Sequence, residues 1–392
     1  MSDGGAIPRL AVVEFQRRPA GSQNLWAHAL TDPRFSIMEK HVLVPAGGET
    51  RLSEDERRAA GIRMHEFGGR GARLAQRAAR RCGIDRDPLG RAVAAVDPDL
   101  VWFNLAGIGE IGWIDTAAAW CRTHRVPYWL IVQHVHEEFF FTNDAHEARA
   151  REVAKGAARV LTVSGRNRAS LAAAFAERMA NVESAVNGVP RPFLDAAGKI
   201  AAGRPPRTEG TARFISPARF DPAYKGQHLL LEAFAGAEWR ARDWHLSLVG
   251  GGPHEDLLRR LVPFYGVPRE RVTLAARTSD MLGAFEGSDV IVMPSLSEGS
   301  PFVLAEGMAC GRPALGTPVG GIDELVRDGE TGWLAHSTEP EDVAAALDRC
   351  WHDRVSWPRF GRAARDLAAS AYDLEPAHRV LLEHVLSDAR GR

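Results

Sequence analysis

Short apolar segments alternate with helical patterns along the second half of the chain, and this alternation limits its fold more than any other feature. The helical patterns, such as HLLLEAFAGA and HEDLLRRLVPFY, place apolar residues three and four positions apart. A strand followed by a helix, repeated in this way, predicts βαβ units and a parallel sheet. The predicted strands are residues 213–217, 244–249, 272–275, 289–293 and 313–316.

The first half shows the same alternation less regularly, with predicted strands at residues 10–15, 41–44, 100–103, 128–132, 159–163 and 182–186. Because 392 residues exceed the roughly 100–200 of a usual domain, we predict two α/β domains, residues 1–200 and 205–371. A segment at 196–211 that is rich in Gly, Pro and charge is predicted to link them, and a helix at about 372–392 to pack back on the first. Ligands of open parallel sheets bind beyond the carboxyl ends of the strands. Two such sheets facing each other would therefore hold a ligand in the cleft between them.

Composition excludes several classes of protein. The net charge of -1 argues against nucleic acid as a partner. The four cysteines, Cys82, Cys121, Cys310 and Cys350, are too scattered for a disulfide framework or a zinc site. The first residues lack the apolar core of a signal peptide, and no uncharged apolar run reaches the length of a membrane span. We expect a cytoplasmic protein.

The most informative motif is the segment 290–313, VIVMPSLSEGSPFVLAEGMACGRP. A strand leads into a polar loop and then into a predicted helix with Ser300 as N-cap and Pro301 as its first residue. The predicted helix ends at Gly311. Its N-terminus would present backbone N–H groups at the carboxyl end of a strand, which suits a phosphate or a hydroxyl-rich ligand. Glu298 and Glu306 bracket the turn, and Glu306 either meets ribose hydroxyls or simply faces solvent or pairs with an arginine.

Cationic and glycine-rich loops supply further candidate residues. Arg219 and Lys225 follow the first strand of the second domain, and a planar guanidinium beside a point charge suits a diphosphate. Gly250 and Gly251 end the next strand in VGGGP, and a second glycine pair follows in TPVGG. Glycine lets the backbone approach a ligand closely. Each of these signals alone also fits an ordinary solvated loop.

The first domain offers weaker candidates. His134 and His136 directly follow a predicted strand, and each either faces a ligand or packs against the domain. Gly21 opens a helix after the first strand and is a further candidate for backbone contact with a ligand. The segment 51–91 has eleven Arg against six acidic residues. Part of it fits an amphipathic helix, which leaves open a membrane contact or a solvated helix face.

Together these segments resemble the retaining glycosyltransferase family 4, whose members have the GT-B fold. Glu298 and Glu306 have the family's Glu-x7-Glu spacing. NGVP, the Arg219/Lys225 pair, VGGGP, the two glutamates, TPVGG and DGETGWL lie along the chain in the family's usual order. The match covers the second domain well and the first loosely. It implies an α/β protein with two Rossmann-like parallel-sheet domains facing across a cleft.

The resemblance also implies a role for each matching residue. Arg219 and Lys225 would bind the pyrophosphate of a nucleotide donor, and Glu306 its ribose. Glu298 and the adjoining backbone would meet the donor sugar, and His134 would lie near that sugar. The implied catalytic residues are His134, Glu298, Arg219 and Lys225. The other implied donor-binding residues are Gly21, Gly250, Gly251, Arg277, Gly299, Ser300, Pro301, Phe302 and Glu306.

The implied reaction transfers a sugar from a nucleotide-diphosphate sugar to a hydroxyl acceptor with retention, and it needs no metal and no other cofactor. The acceptor would be a glycan, a lipid or a small molecule. The base, the sugar, the acceptor, the oligomeric state and the choice between His134 and His136 are left open. So is a contact with the inner face of the membrane. Two alternatives remain: a GT-B-shaped epimerase that acts on a nucleotide sugar alone, and a non-catalytic partner subunit that keeps the scaffold.

Overall fold

The chain forms two compact units. The computed structural model describes residues 7–16, 24–68, 87–137, 139–185 and 187–389. The first unit comprises Met1–Ala185 and Glu375–Arg392, and the second comprises Val186–Leu374. Each has its own parallel sheet and its own apolar core.

The first unit is built on a seven-stranded parallel sheet in the order β3-β2-β1-β4-β5-β6-β7. Its central strands are buried throughout, as apolar runs covered on both faces of a parallel sheet should be. The strands are β1 Arg9–Glu14, β2 Glu39–Pro45, β3 Ile62–Phe67, β4 Leu100–Leu105, β5 Tyr128–Val132, β6 Arg159–Thr162 and β7 Val182–Ser184.

The second unit has a six-stranded parallel sheet in the order β10-β9-β8-β11-β12-β13. Its strands are β8 Ala212–Pro217, β9 Trp244–Gly250, β10 Val272–Ala276, β11 Val290–Met293, β12 Ala314–Gly316 and β13 Gly332–Leu334. Relative to chain order, both sheets begin 3-2-1-4-5-6, the order of a doubly wound fold.

Helices connect the strands and cover the sheets. In the described part of the chain they are α1 Asn24–Thr31, α2 Glu54–Ala59, α3 Pro88–Val96, α4 Asp115–Thr123, α5 Asp144–Gly156, α6 Gly165–Ala174, α7 Arg191–Gly203, α8 Pro222–Lys225, α9 Gln227–Phe234, α10 Ala237–Ala241, α11 Glu255–Phe264, α12 Met281–Glu286, α13 Phe302–Ala309, α14 Ile322–Leu325, α15 Pro340–His352, α16 Trp357–Ala371 and α17 Leu374–Ala389. None of these helices combines the length and the apolar character that a membrane crossing requires. The predicted amphipathic part of segment 51–91 lies outside the described residues.

The segment predicted as a linker, 196–211, is helical in its first half, residues 196–203. Helix α7 runs to Gly203 and packs against α13 and α16. Its small residues permit this packing: Ala201 lies so close to Gly311 that a Cβ there would be only 2.9 Å from the alanine Cβ. The chain accordingly divides between Ala185 and Val186 rather than at 200–205. The small residues of this segment led to its prediction as a linker, whereas in the structure they allow helix α7 to pack closely against its neighbours.

Helix α17 packs back on the first unit. Leu381 and Val385 are buried in the same apolar cluster as Trp26 and Trp102. Asp388 accepts a hydrogen bond from Trp129 Nε1 at 2.8 Å. The last helix therefore closes a unit whose other elements all lie before residue 186.

Candidate functional site at the carboxyl edge of the second sheet

The order of the second sheet reverses between β8 and β11, which lie side by side. Ligands of doubly wound sheets bind at this switch point because the connections that follow the two strands leave toward opposite faces. The loop after β8 carries Arg219 and Lys225, and the loop after β11 carries Glu298. The two strongest sequence motifs therefore occupy the same edge of one sheet.

A salt bridge joins the two loops. Lys225 Nζ lies 2.6 Å from Glu298 Oε1, and the Ser295 hydroxyl donates to that same oxygen at 2.9 Å. The side chains of Lys225 and Glu298 are only 21% and 7% exposed. Because a largely buried carboxylate is costly without partners, this ion pair and its added hydrogen bond stabilise Glu298 in its position.

Backbone contacts hold the two loops together. The N–H groups of Leu296 and Ser297 donate to the carbonyl of Tyr224 at 2.9 and 3.3 Å. Gly226 has φ +61, in the left-handed region, and a Cβ there would overlap the carbonyl of Pro294. Only glycine allows this approach, which places Lys225 directly beside the loop after β11.

Arg219 sits on the same loop as Lys225 but pairs with a different carboxylate. Its side chain is 59% exposed and lies 2.6 Å from Asp221 Oδ2. Its carbonyl accepts a hydrogen bond from Gln227 Nε2 at 2.7 Å, which fixes the backbone of the loop. The guanidinium is thus accessible while its backbone is held.

The glycines that end β9 pack under this loop. Gly251 accepts a hydrogen bond from Phe220 N at 3.0 Å, and a Cβ on Gly250 would overlap the carbonyl of Ala218. Arg277 follows β10 directly and is exposed. The loops after β8, β9, β10 and β11 therefore all lie at the carboxyl edge of the sheet.

The turn 298–302 is held from several sides. Gly320 has φ +56, and a Cβ there would overlap the carbonyl of Glu298. Gly321 N donates to Gly299 O at 2.6 Å, and Asn187 Nδ2 donates to Ser300 O at 3.0 Å. The backbone N–H groups of Gly299 and Ser300 donate to no acceptor among the described residues.

Helix α13 begins one residue later than predicted. Its N-cap is Pro301, in an extended conformation and with no side-chain capping bond, so Ser300 is not the N-cap. The carbonyl of Ser300 is instead bound by Asn187. The helix ends before Gly311, which has φ +73 as its predicted C-terminal role requires. Glu306 is half-buried and lies one turn beyond the half-buried Phe302, so both are on one face of the helix.

The first-unit candidates lie after β5. His134 and His136 are both half-buried on either side of the buried Val135, and their ring centroids are 6.2 Å apart. This similarity leaves the choice between the two histidines open. Gly21 lies outside the described residues.

A polar network at the switch point of the first sheet was not predicted from the sequence. Glu14, the last residue of β1, is fully buried and accepts hydrogen bonds from Asn104 Nδ2 at 2.7 Å and Trp26 Nε1 at 3.1 Å. Gln133 Nε2 donates to Asn104 Oδ1 at 2.9 Å. Burial raises the pKa of the Glu14 carboxyl, and these hydrogen bonds oppose that rise. The sequence feature that could have revealed this network is a polar residue at the end of each of three apolar strands.

Thiols and metal ligands do not add to the site. Cys121, Cys310 and Cys350 are free and buried, and burial raises the pKa of Cys121 and of Cys310 to about 12. In the ranges that the structure describes, no three His, Cys, Asp or Glu side chains are arranged to hold a metal ion.

Comparison with known proteins finds similarity mainly in the second unit. The family model described as glycosyl transferases group 1 matches residues 211–353. The chain is 30% identical over 257 residues to a D-inositol 3-phosphate glycosyltransferase of Pseudarthrobacter chlorophenolicus, which covers 61% of each protein. It is 32% identical over 124 residues to a sulfoquinovosyl transferase of Arabidopsis thaliana, which covers 31% of this chain and 24% of that protein. The chain thus spans less than two thirds of the length of these relatives.

Solved structures resemble the whole chain. Anabaena HepE, solved in complex with UDP and glucose, has a TM-score of 0.72 at 18% identity and covers 96% of this chain and 99% of its own. Sucrose-phosphate synthase from Thermosynechococcus elongatus has a TM-score of 0.74 at 17% identity and covers 98% and 100%. Together with the two parallel sheets, this likeness confirms the predicted fold class, GT-B with two Rossmann-like domains.

Proposed function

We propose that the chain is a glycosyltransferase that takes a sugar from a nucleotide-diphosphate donor and passes it to a hydroxyl acceptor with retention of configuration. The observation that carries the proposal is the Lys225–Glu298 pair at the switch point of the second sheet. It lies within the residues matched by the glycosyl transferase model. A cation and a carboxylate side by side can serve the phosphates and the hydroxyls of one donor. The likeness to HepE, solved with UDP-glucose, supports a donor of this class.

Each group at the carboxyl edge has a proposed part in donor binding. Lys225 and the accessible Arg219 bind the diphosphate. The N–H groups of Gly299 and Ser300 suit an anionic or hydroxyl-rich group. Glu298 meets the sugar hydroxyls, and Glu306, on the outward face of α13, meets the ribose. The remaining proposed contacts come from Gly250, Gly251, Pro301 and Phe302, with Arg277 near the base.

In the proposed reaction, the bond between the anomeric carbon and the leaving phosphate oxygen breaks. The acceptor oxygen bonds to that carbon on the same face, and the hydroxyl proton passes to the leaving phosphate. The cations Lys225 and Arg219 stabilise the negative charge that develops on the diphosphate, so we propose that no metal is required. His134, or its neighbour His136, lies near the transferred sugar. Retention and membership of family 4 rest on the resemblance of the Glu298–Glu306 spacing.

The acceptor is proposed as a glycan, a lipid or a small molecule with a free hydroxyl. Three cysteines keep buried, free thiols. This usage fits a reducing compartment, and we propose that the enzyme works in the cytoplasm.

The test begins with a thermal-shift panel of UDP-, GDP-, ADP- and dTDP-sugars, because a bound donor raises the melting temperature. The stabilising donor is then incubated with the protein, alone and with hydroxyl acceptors, and the product is followed by proton NMR. We expect release of nucleoside diphosphate with acceptor and a product with the donor's anomeric configuration. An epimerised sugar formed from donor alone would identify an epimerase, and binding without turnover a non-catalytic subunit. If no donor stabilises the protein, the proposal fails.

A further inference from the structure

We propose that Ser295 is a positioning residue that holds Glu298 in place when Lys225 engages the donor's diphosphate, an inference that rests on the proposed function. Lys225 and Ser295 contact the same carboxylate oxygen, Glu298 Oε1, at 2.6 and 2.9 Å. The lysine is therefore shared between two anions, the carboxylate of the protein and the phosphates of the donor.

Sharing the lysine has an electrostatic cost. Glu298 is 8% exposed, so water cannot solvate its charge if Lys225 is drawn toward the diphosphate. Ser295 is 1% exposed and its hydroxyl already donates to the carboxylate, so it can keep that contact before and after the donor binds. A hydrogen bond to an ionised oxygen is among the stronger ones in proteins. Ser295 therefore lowers the cost of releasing the lysine.

Ser295 is itself held by a buried neighbour. Thr317, the residue after β12, donates its hydroxyl to the backbone carbonyl of Ser295 at 2.5 Å. Its exposure is 0%. A hydrogen-bonded chain of Thr317, Ser295, Glu298 and Lys225 thus crosses the carboxyl ends of β12, β11 and β8. The order of the sheet makes these strand ends neighbours.

The chain offers a matched control at the opposite end of β11. Ser288 is 4% exposed and donates its hydroxyl to Phe285 O at 2.9 Å, just before the strand begins. Ser288→Ala removes a buried serine hydrogen bond as Ser295→Ala does, but away from the carboxyl edge. Thr331→Val is the corresponding control for Thr317→Val. Thr331 is fully buried, and its hydroxyl donates to Leu325 O at 2.9 Å.

The experiment measures binding of UDP, GDP or ADP, whichever stabilises the wild type most, and of the matching monophosphate by calorimetry. We expect Ser295→Ala to weaken diphosphate binding about tenfold, the effect of losing one hydrogen bond to a charged group. Monophosphate binding should change less, and Ser288→Ala should change neither. Thr317→Val is expected to reproduce part of the loss, whereas Thr317→Ser and Thr331→Val retain wild-type affinity.

Two results would overturn the inference. Ser295→Ala could bind the diphosphate as the wild type does, or it could lose no more affinity than Ser288→Ala. Should Ser295→Ala fail to fold, the contrast between Thr317→Val and Thr317→Ser decides the question alone. A wild type that binds no nucleoside diphosphate overturns the proposed function, and this inference with it.

Discussion

The two sheets share the strand order 3-2-1-4-5-6, and each has a carboxylate beside its switch point, yet the two carboxylates have different partners. Glu14 in the first unit accepts hydrogen bonds from three neutral donors, the side chains of Asn104 and Trp26 and the backbone of Gln16. Glu298 in the second unit has the ammonium of Lys225. Strand order therefore determines where polar side chains gather, whereas residue type determines whether an anionic ligand can be held there.

The backbone donors differ as well. At the first switch point, the backbone N–H of Gln16 donates to Glu14 Oε1 at 2.8 Å. At the second, the N–H groups of Gly299 and Ser300 donate to no acceptor in the described part of the chain. Hydrogen-bond donors beside a cation favour an anionic ligand at the second sheet. The predictions below test this difference, beginning with the largest expected effect.

Lys225→Ala should lower kcat/KM for transfer by about 100- to 1000-fold, since it removes a charge that stabilises the leaving diphosphate. Arg219→Ala is the comparison: its guanidinium is 59% exposed, and we expect only about a tenfold loss from a cation in contact with water. Turnover is measured with the donor selected by thermal shift, and circular dichroism checks folding. Near-normal turnover by the lysine variant would contradict a diphosphate site at the second sheet.

Gly320→Ala should destabilise the second unit by about 2–4 kcal/mol and weaken donor binding. The change combines a left-handed backbone, costing about 1–2 kcal/mol, with overlap of the Glu298 carbonyl. Gly329→Ala is the control because φ there is +74 and no atom lies within 4 Å. Urea unfolding and calorimetry measure both variants. Equal stability losses in Gly320→Ala and Gly329→Ala would show that the close packing of Gly320 against the Glu298 carbonyl does not contribute to stability.

Glu14→Gln should destabilise the protein by about 1–3 kcal/mol, because its amide NH2 would face donors where the carboxylate accepts. Affinity for the free nucleoside diphosphate should stay at the wild-type value, since the proposed nucleotide contacts lie in the second unit. Glu152→Gln is the matched control, because Glu152 is 73% exposed in the same unit. A large loss of nucleoside diphosphate binding in Glu14→Gln, measured on folded protein, would show that the first unit also contributes to the nucleotide site.

Acidification should destabilise the first unit through His28. Burial, with smaller contributions from Arg51 and His378, lowers the pKa of His28 to about 4. Between pH 4 and 6.5, His28 binds a proton in the unfolded chain but not in the folded unit. The free energy of unfolding therefore falls as the pH is lowered through this window. From pH 7.5 to pH 5 the expected loss is roughly 1–2 kcal/mol.

His28→Gln should flatten this part of the pH profile, as measured by urea unfolding at a series of pH values. His352→Gln, at an exposed position of the second unit, should leave the profile as it is. If His28→Gln gives the same pH profile as the wild type, His28 is not the group that causes the loss of stability at low pH.

The sequence predicted the central strands of both sheets and two of the four edge strands, β7 and β10, but missed the edge strands β3 and β13. Strand β5, Tyr128–Val132, is buried along its whole length and was predicted with its observed bounds. Strand β3, Ile62–Phe67, was missed because it lies at the sheet edge and its exposure is mixed. Strand β13 is only three residues long and was missed as well. Burial on both faces produces the apolar run that sequence patterns detect.

The sequence predicted which loops carry the site residues but not the contacts between those residues. The carboxyl ends of the strands could be located from the motifs, which placed Lys225 and Glu298 at one edge. Their salt bridge joins residues 73 positions apart and depends on the pairing of β11 with β8, which no local pattern encodes. The hydrogen bonds of Ser295 and Thr317 depend on the same tertiary arrangement.

The return of helix α17 to the first unit affects the order in which the molecule can be completed. A ribosome delivers residues 1–185 first, but the pocket for Leu381 and Val385 stays unfilled until the whole second unit has been synthesised. Through that interval Trp129 and Arg159 lack their shared partner Asp388. The unit that emerges earliest from the ribosome is thus the last to be completed, and its apolar surface for helix α17 stays uncovered until synthesis ends.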